Sequence, residues 1–255
     1  MSKTIKLYWA HSKPNFGDCM SPLICELVSG KQIAYSKIKD CDILAAGSLL
    51  QRLKERPWSR TTNIWGTGFI EETRPHKSKH IYHAIRGLNS AALLSNKKIT
   101  TFGDPGLLAD KLINSAQIQK RYEVGIVPHY NDRDHATTIQ LQNNLKGAKV
   151  IDVFQSPKEV ITQIAQCHTI LSSSLHGLIT ADSLRIPNLR IQVSSAIRGG
   201  DWKFNDYYST FGVESVKVQA EQINNADDLS PWIEQYDRPK LDEIKGKLYD
   251  SFPNL

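Results

Sequence analysis

The stretch TILSSSLHGLITADSL, residues 169–184, joins a short apolar run to a polar turn and then to a helical pattern. Residues 169–171 combine two β-branched side chains with a leucine, which is typical of a buried strand. From Leu175 onward, apolar side chains recur at helical spacing as far as Leu184. The stretch therefore predicts a strand that enters a helix through the turn 172–177, the connection found in parallel α/β sheets.

Short apolar runs of the same kind alternate with helical patterns along the rest of the chain. The predicted strands cover residues 4–9, 42–46, 63–65, 79–85, 123–127, 149–154, 169–171 and 188–193. The predicted helices cover residues 22–28, with Gly30 as the terminator, 107–113, 157–167 and 175–184. This alternation predicts an α/β fold in which parallel sheets are connected by crossover helices.

The polar stretch 114–121 separates the first set of predicted strands from the second set. A polar linker between two complete strand sets is typical of a domain boundary. We therefore expect a first Rossmann-like domain at 1–118, a second at 119–225 and a helical tail at 226–255. The tail should pack back on the domains, and Pro239 must kink or restart its helix.

Composition narrows the class of protein. The 255 residues include 32 Lys and Arg against 26 Asp and Glu, a net charge of +6, which favours an anionic partner. The basic residues are dispersed, so nucleic acid is disfavoured. Residues 1–6 lack a signal-peptide pattern and no apolar run approaches the roughly 18 residues that span a bilayer, so we expect a cytoplasmic protein. Four scattered cysteines without metal-site spacing predict free thiols and no metal centre.

The turn 172–177 is the first candidate site. It lies where a strand ends and a helix begins, so backbone N–H groups and the helix dipole favour an anion there. Ser172, Ser173 and Ser174 would add hydroxyl donors, and His176 would face the same anion. The alternative is structural: one serine caps the helix and His176 has no role in chemistry.

The loop after the first predicted strand is the second candidate. Asn15, Gly17 and Asp18 follow residues 4–9 in the way the serines follow residues 169–171. Asp18 is either a helix cap or a catalytic base, and its place at the carboxyl end of a strand favours function.

Arg86 ends another predicted strand, where it could hold a carboxylate or phosphate through two parallel hydrogen bonds or form a surface salt bridge. His129 ends the first strand of the second set and is a secondary candidate for the cleft. Gly66 and Thr67 permit a close backbone approach near the cleft, but their spacing matches no dinucleotide or P-loop motif. NAD and ATP folds are therefore disfavoured.

Taken in order, these motifs resemble the polysaccharide pyruvyl transferase family. The resemblance covers roughly residues 4–212 and rests on the ordered set more than on any one element. The motif at 203–208, KFNDYY, resembles the succinoglycan-type, exopolysaccharide branch and adds Lys203 to the substrate-binding candidates. The remaining motifs are 15–18 (NFGD), 64–68 (IWGTG), 85–87 (IRG), 102–105 (FGDP), 127–130 (VPHY) and 172–177 (SSSLHG).

The resemblance implies two Rossmann-like domains in a glycosyltransferase-B-like arrangement, with the active site in the interdomain cleft. It implies phosphoenolpyruvate as donor, a sugar diol of a polysaccharide repeat unit as acceptor and a cyclic pyruvate ketal as product, with no metal or nucleotide cofactor. By matching motif, His176 and Arg86 would handle the donor, and Leu175 and the neighbouring serines would line its pocket.

This chemistry needs an acid for the methylene carbon of the donor and a base for the sugar hydroxyl. We assign His176 as the acid or as the partner of the departing phosphate, and Asp18 as the base from the opposite domain. Two other functions stay open: a nucleotide-sugar-dependent glycosyltransferase of the same architecture and a non-catalytic carbohydrate-binding assembly subunit. The positive charge also suggests peripheral contact with the inner face of the membrane, where lipid-linked oligosaccharides are carried.

Overall fold

The computed structural model describes residues 4–13, 15–195 and 197–255 and contains two parallel sheets of five strands. The first sheet has the order β2-β1-β3-β4-β5 and the second has the order β10-β9-β8-β6-β7. The first is built from β1 (Ile5–Tyr8), β2 (Ile33–Tyr35), β3 (Ile43–Leu44), β4 (Asn63–Trp65) and β5 (Ile81–Ala84). The second is built from β6 (Tyr122–Val127), β7 (Lys149–Val150), β8 (Cys167–Ser172), β9 (Asn188–Gln192) and β10 (Lys217–Gln219). The predicted α/β class and the parallel sheets are confirmed.

Helices fill the connections between the strands. The α-helices are α1 (Phe16–Ser29), α2 (Leu88–Ala92), α3 (Ala136–Asn144), α4 (Pro157–Ala165), α5 (Leu175–Ser183), α6 (Trp202–Ser209), α7 (Ser230–Glu234) and α8 (Leu241–Asp250). Short 3₁₀ helices cover Leu50–Arg52, Pro105–Leu112, Ser115–Gln117, Ala220–Gln222 and Ala226–Leu229. Within the described ranges, no helix is both long and apolar enough to cross a bilayer.

Helix boundaries follow from local capping, and several predicted boundaries were wrong. The helix predicted at 107–113 is the 3₁₀ helix Pro105–Leu112, which Asp104 caps. The first helix begins at Phe16 instead of residue 22, because the Asn15 side chain caps it, and Gly30 ends it with a φ of 64° as predicted. Ser156 opens α4 with a capping box, but α4 ends at Ala165 and Cys167 already belongs to β8. The β-branched side chains of β8 outweigh the helical pattern that extended the prediction to 167.

One buried apolar cluster joins elements from both ends of the chain. Met20 and Ile24 of α1 share it with Leu178 of α5 and with Leu241 and Leu248 of α8. The indole N–H of Trp65, at the end of β4, donates to the carbonyl of Leu248 at 2.9 Å. The last helix of the chain therefore packs on the first sheet's side of the molecule, although helix α7 contributes to the core of the second sheet through Trp232.

Candidate active site

A pocket of about 430 Å³ lies between the carboxyl ends of strands from both sheets. In each sheet the strand order reverses next to the first strand, between β1 and β3 and between β6 and β8. Such switch points leave a crevice at the carboxyl ends, where doubly wound sheets bind ligands. The lining residues follow these strands and include Ser12, Lys13, Asn15, Asp18, Gly47, Ser48, Arg52, His129, Tyr130, Ser174, Leu175, His176, Arg198 and Lys203.

Asn15 and Asp18 are fixed to each other at the start of α1. The side-chain oxygen Oδ1 of Asn15 accepts the backbone N–H of Asp18 at 3.2 Å, and the side-chain nitrogen Nδ2 of Asn15 donates to Asp18 Oδ2 at 2.8 Å. The backbone N–H of Phe16 donates to the carbonyl of Val153, beyond β7, at 2.9 Å. The start of α1 is therefore hydrogen-bonded to the second half of the chain. Oδ1 of Asp18 is not bonded to Asn15 and faces the pocket beside Gly47.

His176 packs against two glycines that leave room for its ring. A Cβ atom added to Gly17 would lie 2.1 Å from His176 Nδ1, so any larger residue would collide with the imidazole. A Cβ atom added to Gly47, whose φ is +95°, would lie 3.7 Å from Asp18 Oδ1 and 3.8 Å from His176 Nε2. The predicted acid and base therefore face the same small space beside Gly47. His176 Nε2 is buried and has no hydrogen-bond partner among the described residues.

Lys203 is the least compensated cation of the pocket. Its side chain is 8% exposed, its Nζ lies 5.4 Å from the ring centre of Phe204, and it forms no hydrogen bond or ion pair with any residue that the structure describes. Burial, reinforced by the charges of Arg86 and Arg190, lowers the pKa of Lys203 to about 8, although Asp18 and Asp132 oppose the shift. A buried amine without a counter-ion favours an anion in the pocket, because the anion would supply the missing charge partner.

Three further cations line the more exposed part of the pocket, and the two arginines among them already have polar partners. Arg52 donates to the hydroxyl of Tyr8, Arg198 lies 3.4 Å from a carboxylate oxygen of Glu71, and Lys13 lies 5.5 Å from the ring centre of Tyr130. Among the described lining residues, these three cations and Lys203 face one carboxylate, that of Asp18, so the pocket is electropositive.

His129 is held as a neutral imidazole. Burial, together with the charge of Lys203, lowers the pKa of His129 to about 4. Its Nδ1 accepts the backbone N–H of Asn131 at 3.3 Å, which leaves Nε2 to carry the proton. The hydroxyl of Ser173 accepts the backbone N–H of His129 and donates to buried Asp132, both at 2.8 Å.

The three serines of the turn 172–177 do not act alike. Ser172 and Ser173 are fully buried, and Ser172 donates to the carbonyl of Val127 at 2.7 Å. Only Ser174 lines the pocket, where its side chain makes no hydrogen bond to the part of the chain that the structure describes. Leu175 lines the pocket beside it. Of the three predicted hydroxyl donors, Ser174 therefore lies at the pocket, whereas Ser172 and Ser173 hold the turn after β8 in place.

Thr67 lies behind the pocket wall and shapes it. Its hydroxyl donates to the carbonyl of Gly47 at 2.8 Å and accepts the N–H of Leu49 at 3.1 Å. Gly66, with a φ of +81°, packs against Pro105, where a Cβ atom would lie 2.3 Å from the proline ring. Thr67 therefore holds the Gly47 loop, whereas Gly66 packs on Pro105, and neither residue lines the pocket. Gly17 does not line the pocket either.

Arg86 is brought near the site but not into the pocket lining. Its side chain is fully buried and forms an ion pair with buried Asp206 of α6, with Nε 2.8 Å from Oδ2. It also donates to the hydroxyl of Ser48, which does line the pocket. Direct contact between Arg86 and a donor stays a prediction.

Sequence reasoning overlooked several pocket residues. Gly47 and Ser48 follow a predicted strand in the same way as Asp18 and Ser174, so the rule of strand ends could have found them. Asp132 lies three residues beyond His129, but its pairing with Ser173 is visible only in the folded chain. The described residues contain no cluster of His, Cys, Asp and Glu that could hold a metal ion.

Most of the chain is similar to known proteins. The profile of the family described as "Polysaccharide pyruvyl transferase" matches residues 4–195. The "Uncharacterized protein L143" of Acanthamoeba polyphaga mimivirus is 33% identical over 165 residues, 61% of this chain and 57% of that protein. The "Succinoglycan biosynthesis protein ExoV" of Rhizobium meliloti (strain 1021) is 27% identical over 210 residues, 81% of this chain and 64% of that protein. The chain thus spans about three fifths of the length of these curated relatives.

Proposed function

Because this chain belongs to the polysaccharide pyruvyl transferase family, we propose that it transfers the enolpyruvyl group of phosphoenolpyruvate to a sugar diol and forms a cyclic pyruvate ketal. The acceptor is a sugar of a polysaccharide repeat unit, and the similarity to a succinoglycan biosynthesis protein supports a place in exopolysaccharide biosynthesis. The observation that carries the proposal is the electropositive pocket that His176, Asp18 and Lys203 line together. Lys203 is buried there and has no ion-pair partner among the described residues.

The charges of the pocket suit this donor. Phosphoenolpyruvate carries a phosphate and a carboxylate on a three-carbon frame, so its site needs several cationic or N–H donors. Lys203 offers an uncompensated ammonium, and Ser174 offers a hydroxyl at the start of α5, where the helix dipole favours anions. A volume of about 430 Å³ leaves room for a sugar ring beside the small donor.

The reaction proceeds in two additions at C2 of the donor. A proton is first added to the methylene carbon, and one sugar hydroxyl bonds to C2 while losing its own proton. The bond between C2 and the phosphate oxygen then breaks, and phosphate leaves with the electron pair. The second hydroxyl closes the ring on C2 and loses its proton, so the products are the ketal and inorganic phosphate.

His176 and Asp18 divide the proton transfers. His176 Nε2 is the buried, unpartnered nitrogen of the pocket and serves as the acid or as the partner of the leaving phosphate. Asp18 is the base that takes the hydroxyl proton. Asn15 holds only Asp18 Oδ2, which leaves Oδ1 for the acceptor. Because the two groups come from opposite sheets, the closeness of the sheets sets the geometry of the reaction.

The proposal also covers the arrangement of the domains and the location of the protein in the cell. Residues 1–118 and 119–225 form two domains in a glycosyltransferase-B-like arrangement, and residues 226–255 pack back on them. The position of each sheet on its own side of residue 118 supports this division. We place the protein in the cytoplasm with peripheral contact at the inner membrane face, which the net charge of +6 supports. Co-sedimentation with anionic but not neutral vesicles tests that contact.

The direct test is a reaction with phosphoenolpyruvate and the lipid-linked repeat unit of the host. Mass analysis should show one ketal-linked pyruvate per acceptor, with one phosphate released for each. The His176→Ala variant serves as the control for contaminating activity. Phosphate release without any change in acceptor mass would contradict pyruvyl transfer.

Donor binding separates this function from the nucleotide-sugar alternative. A ligand that binds only the folded state raises the melting temperature by an amount that grows with the ratio of its concentration to its Kd. We expect phosphoenolpyruvate to protect the protein from thermal unfolding and UDP- or CMP-sugars to have no effect. Protection by a nucleotide sugar alone would replace the proposed function with glycosyl transfer, and protection by neither donor would favour a non-catalytic carbohydrate-binding subunit.

A further inference from the structure

The guanidinium of Arg86 is occupied by protein groups on all three of its nitrogens. Nε is paired with Asp206, Nη1 donates to Ser48 and Nη2 donates to the carbonyl of Phe69. The side chain is 0% exposed, and a Cβ atom added to Gly68 would lie 2.6 Å from the Arg86 Cζ atom. A donor phosphate could reach Arg86 only by displacing one of these partners.

Asp206 is enclosed to the same degree. Its two carboxylate oxygens accept the backbone N–H and the hydroxyl of Ser90 at 2.6 and 2.7 Å, in addition to Arg86. A Cβ atom added to Gly87 would lie 1.7 Å from the Asp206 carbonyl oxygen. Thr210 adds a hydrogen bond from its hydroxyl to the carbonyl of Arg86. These contacts dock helix α6 against the end of strand β5.

Helix α6 also carries Lys203, one turn before Asp206. Residues three apart in a helix lie on neighbouring positions of one face, so the docking of Asp206 fixes where Lys203 enters the pocket. Lys203 and Ser48 both line the pocket, and both are linked to Arg86, one through α6 and the other by a hydrogen bond. Arg86 therefore does not line the pocket itself but is connected to two lining residues, to Ser48 by a hydrogen bond and to Lys203 through Asp206.

We infer that Arg86 is a positioning residue, which sets Lys203 through Asp206 and sets Ser48 directly, and that Lys203 supplies the cation that contacts the donor. This inference rests on the proposed function and identifies the anion-binding group within it. It departs from the expectation that Arg86 itself holds the donor. The anionic group that Lys203 contacts is the phosphate or the carboxylate of phosphoenolpyruvate.

Charge pairing supports this division of roles. The charge of Arg86 is already neutralised by a carboxylate in a buried pair, whereas Lys203 has no counter-ion among the described residues. The charged groups that act on Lys203 are Arg86 and Arg190, which disfavour its protonation, and Asp18 and Asp132, which favour it. His129 is neutral above pH 4 and adds no charge.

The test compares phosphoenolpyruvate affinity by calorimetry in wild type and four variants. Lys203→Met removes one charge-assisted contact and should weaken binding by about tenfold to a hundredfold. Asp206→Asn keeps an acceptor for Ser90 but leaves the charge of Arg86 buried and unpaired, so α6 should shift and affinity should fall by about tenfold. The double variant Arg86→Met with Asp206→Asn breaks the same link at both ends, so its affinity should stay within about threefold of that of Asp206→Asn alone. Asp242→Asn breaks the exposed pair with Arg185 and is the matched control, with affinity unchanged.

The comparison of Asp206→Asn with the double variant decides the inference. If Arg86 contacted the donor, Asp206→Asn would retain affinity because the arginine would be freed, and only the double variant would lose it; that pattern overturns the inference. Near-UV circular dichroism verifies that each variant is folded. If the double variant does not fold, full retention of affinity by Asp206→Asn or by Lys203→Met is sufficient to overturn it. Absence of binding by wild type would instead refute the proposed function, and the inference with it.

Discussion

The substitution Gly17→Ala moves the imidazole of His176, the proposed acid, without removing any chemical group. The added methyl carbon would lie 2.1 Å from Nδ1, 2.4 Å from Cγ and 2.6 Å from Cβ of His176. Rotation of the ring relieves the first two contacts but not the third, because the Cβ atom moves only with the helix backbone. The start of helix α5 must therefore shift away from helix α1.

The size of the effect follows from these distances. Ordinary carbon contacts begin near 3.4 Å, so the imidazole has to move by more than about one ångström. A misplacement of about 1 Å at a reacting group can cost about a hundredfold in rate, and we expect kcat/KM to fall by about that factor. Alanine is favoured over glycine in helices by about 1 kcal/mol, which offsets part of the cost of the collision to the fold.

Phosphate release from phosphoenolpyruvate, measured together with urea unfolding, separates displacement of His176 from loss of structure. Gly246→Ala is the matched control, because Gly246 lies in helix α8 with open space around its Cα and should gain stability without a change in activity. In a His176→Ala background, Gly17→Ala should cause little further loss. The reasoning is refuted if Gly17→Ala has wild-type kcat/KM, or if its loss equals the fraction of protein unfolded under the assay conditions.

Three other outcomes are expected. His176→Ala should lose at least about a hundredfold in turnover while its unfolding curve stays close to wild type, and near-normal turnover would remove His176 from the mechanism. Asp18→Asn should lower kcat by about a hundredfold or more in the ketal-forming reaction while the thermal protection given by phosphoenolpyruvate persists; loss of that protection would instead assign Asp18 to donor binding. Because the pKa of His129 is about 4 in the folded state and near its usual value when unfolded, the unfolded state binds more protons between these values. As the pH falls from 6.5 to 4, the free energy of unfolding of wild type should therefore decrease by about 2 kcal/mol more than that of His129→Gln. Urea titrations at both pH values measure this difference, and equal decreases would contradict the lowered pKa of His129.

Local sequence signals predicted the central strands and one edge strand of each sheet, β5 and β7, but not the opposite edges, β2 and β10. Strands β2 and β10 have three residues each, and every one of their side chains is at least partly exposed. An edge strand pairs on one side only, so it needs neither the length nor the apolar content that marks a central strand. The order of strands depends on such edges, which explains why alternation predicted the class of fold but not the order of strands.

The site residues divide along a similar line. Asp18 and His176 were identifiable because each follows a strand and opens a helix, and the structure places both at the pocket. The environment of Arg86 was not identifiable, since its partner Asp206 lies 120 positions later in the chain. Ser172 and Ser173 have the same local signal as Ser174, and only the packing of β8 against β6 decides which hydroxyl reaches the pocket.

The return of helix α8 to the first sheet has a consequence for synthesis on the ribosome. The indole of Trp65 finds its acceptor at Leu248, and Arg86 finds its counter-ion at Asp206, both more than a hundred residues downstream. The first half of the chain is therefore synthesised before the partners of the Trp65 indole and the Arg86 guanidinium exist, and these groups gain them only after helices α6 and α8 have left the exit tunnel. Because Lys203 and His176 also belong to the second half, the pocket shared by both sheets is completed late in synthesis.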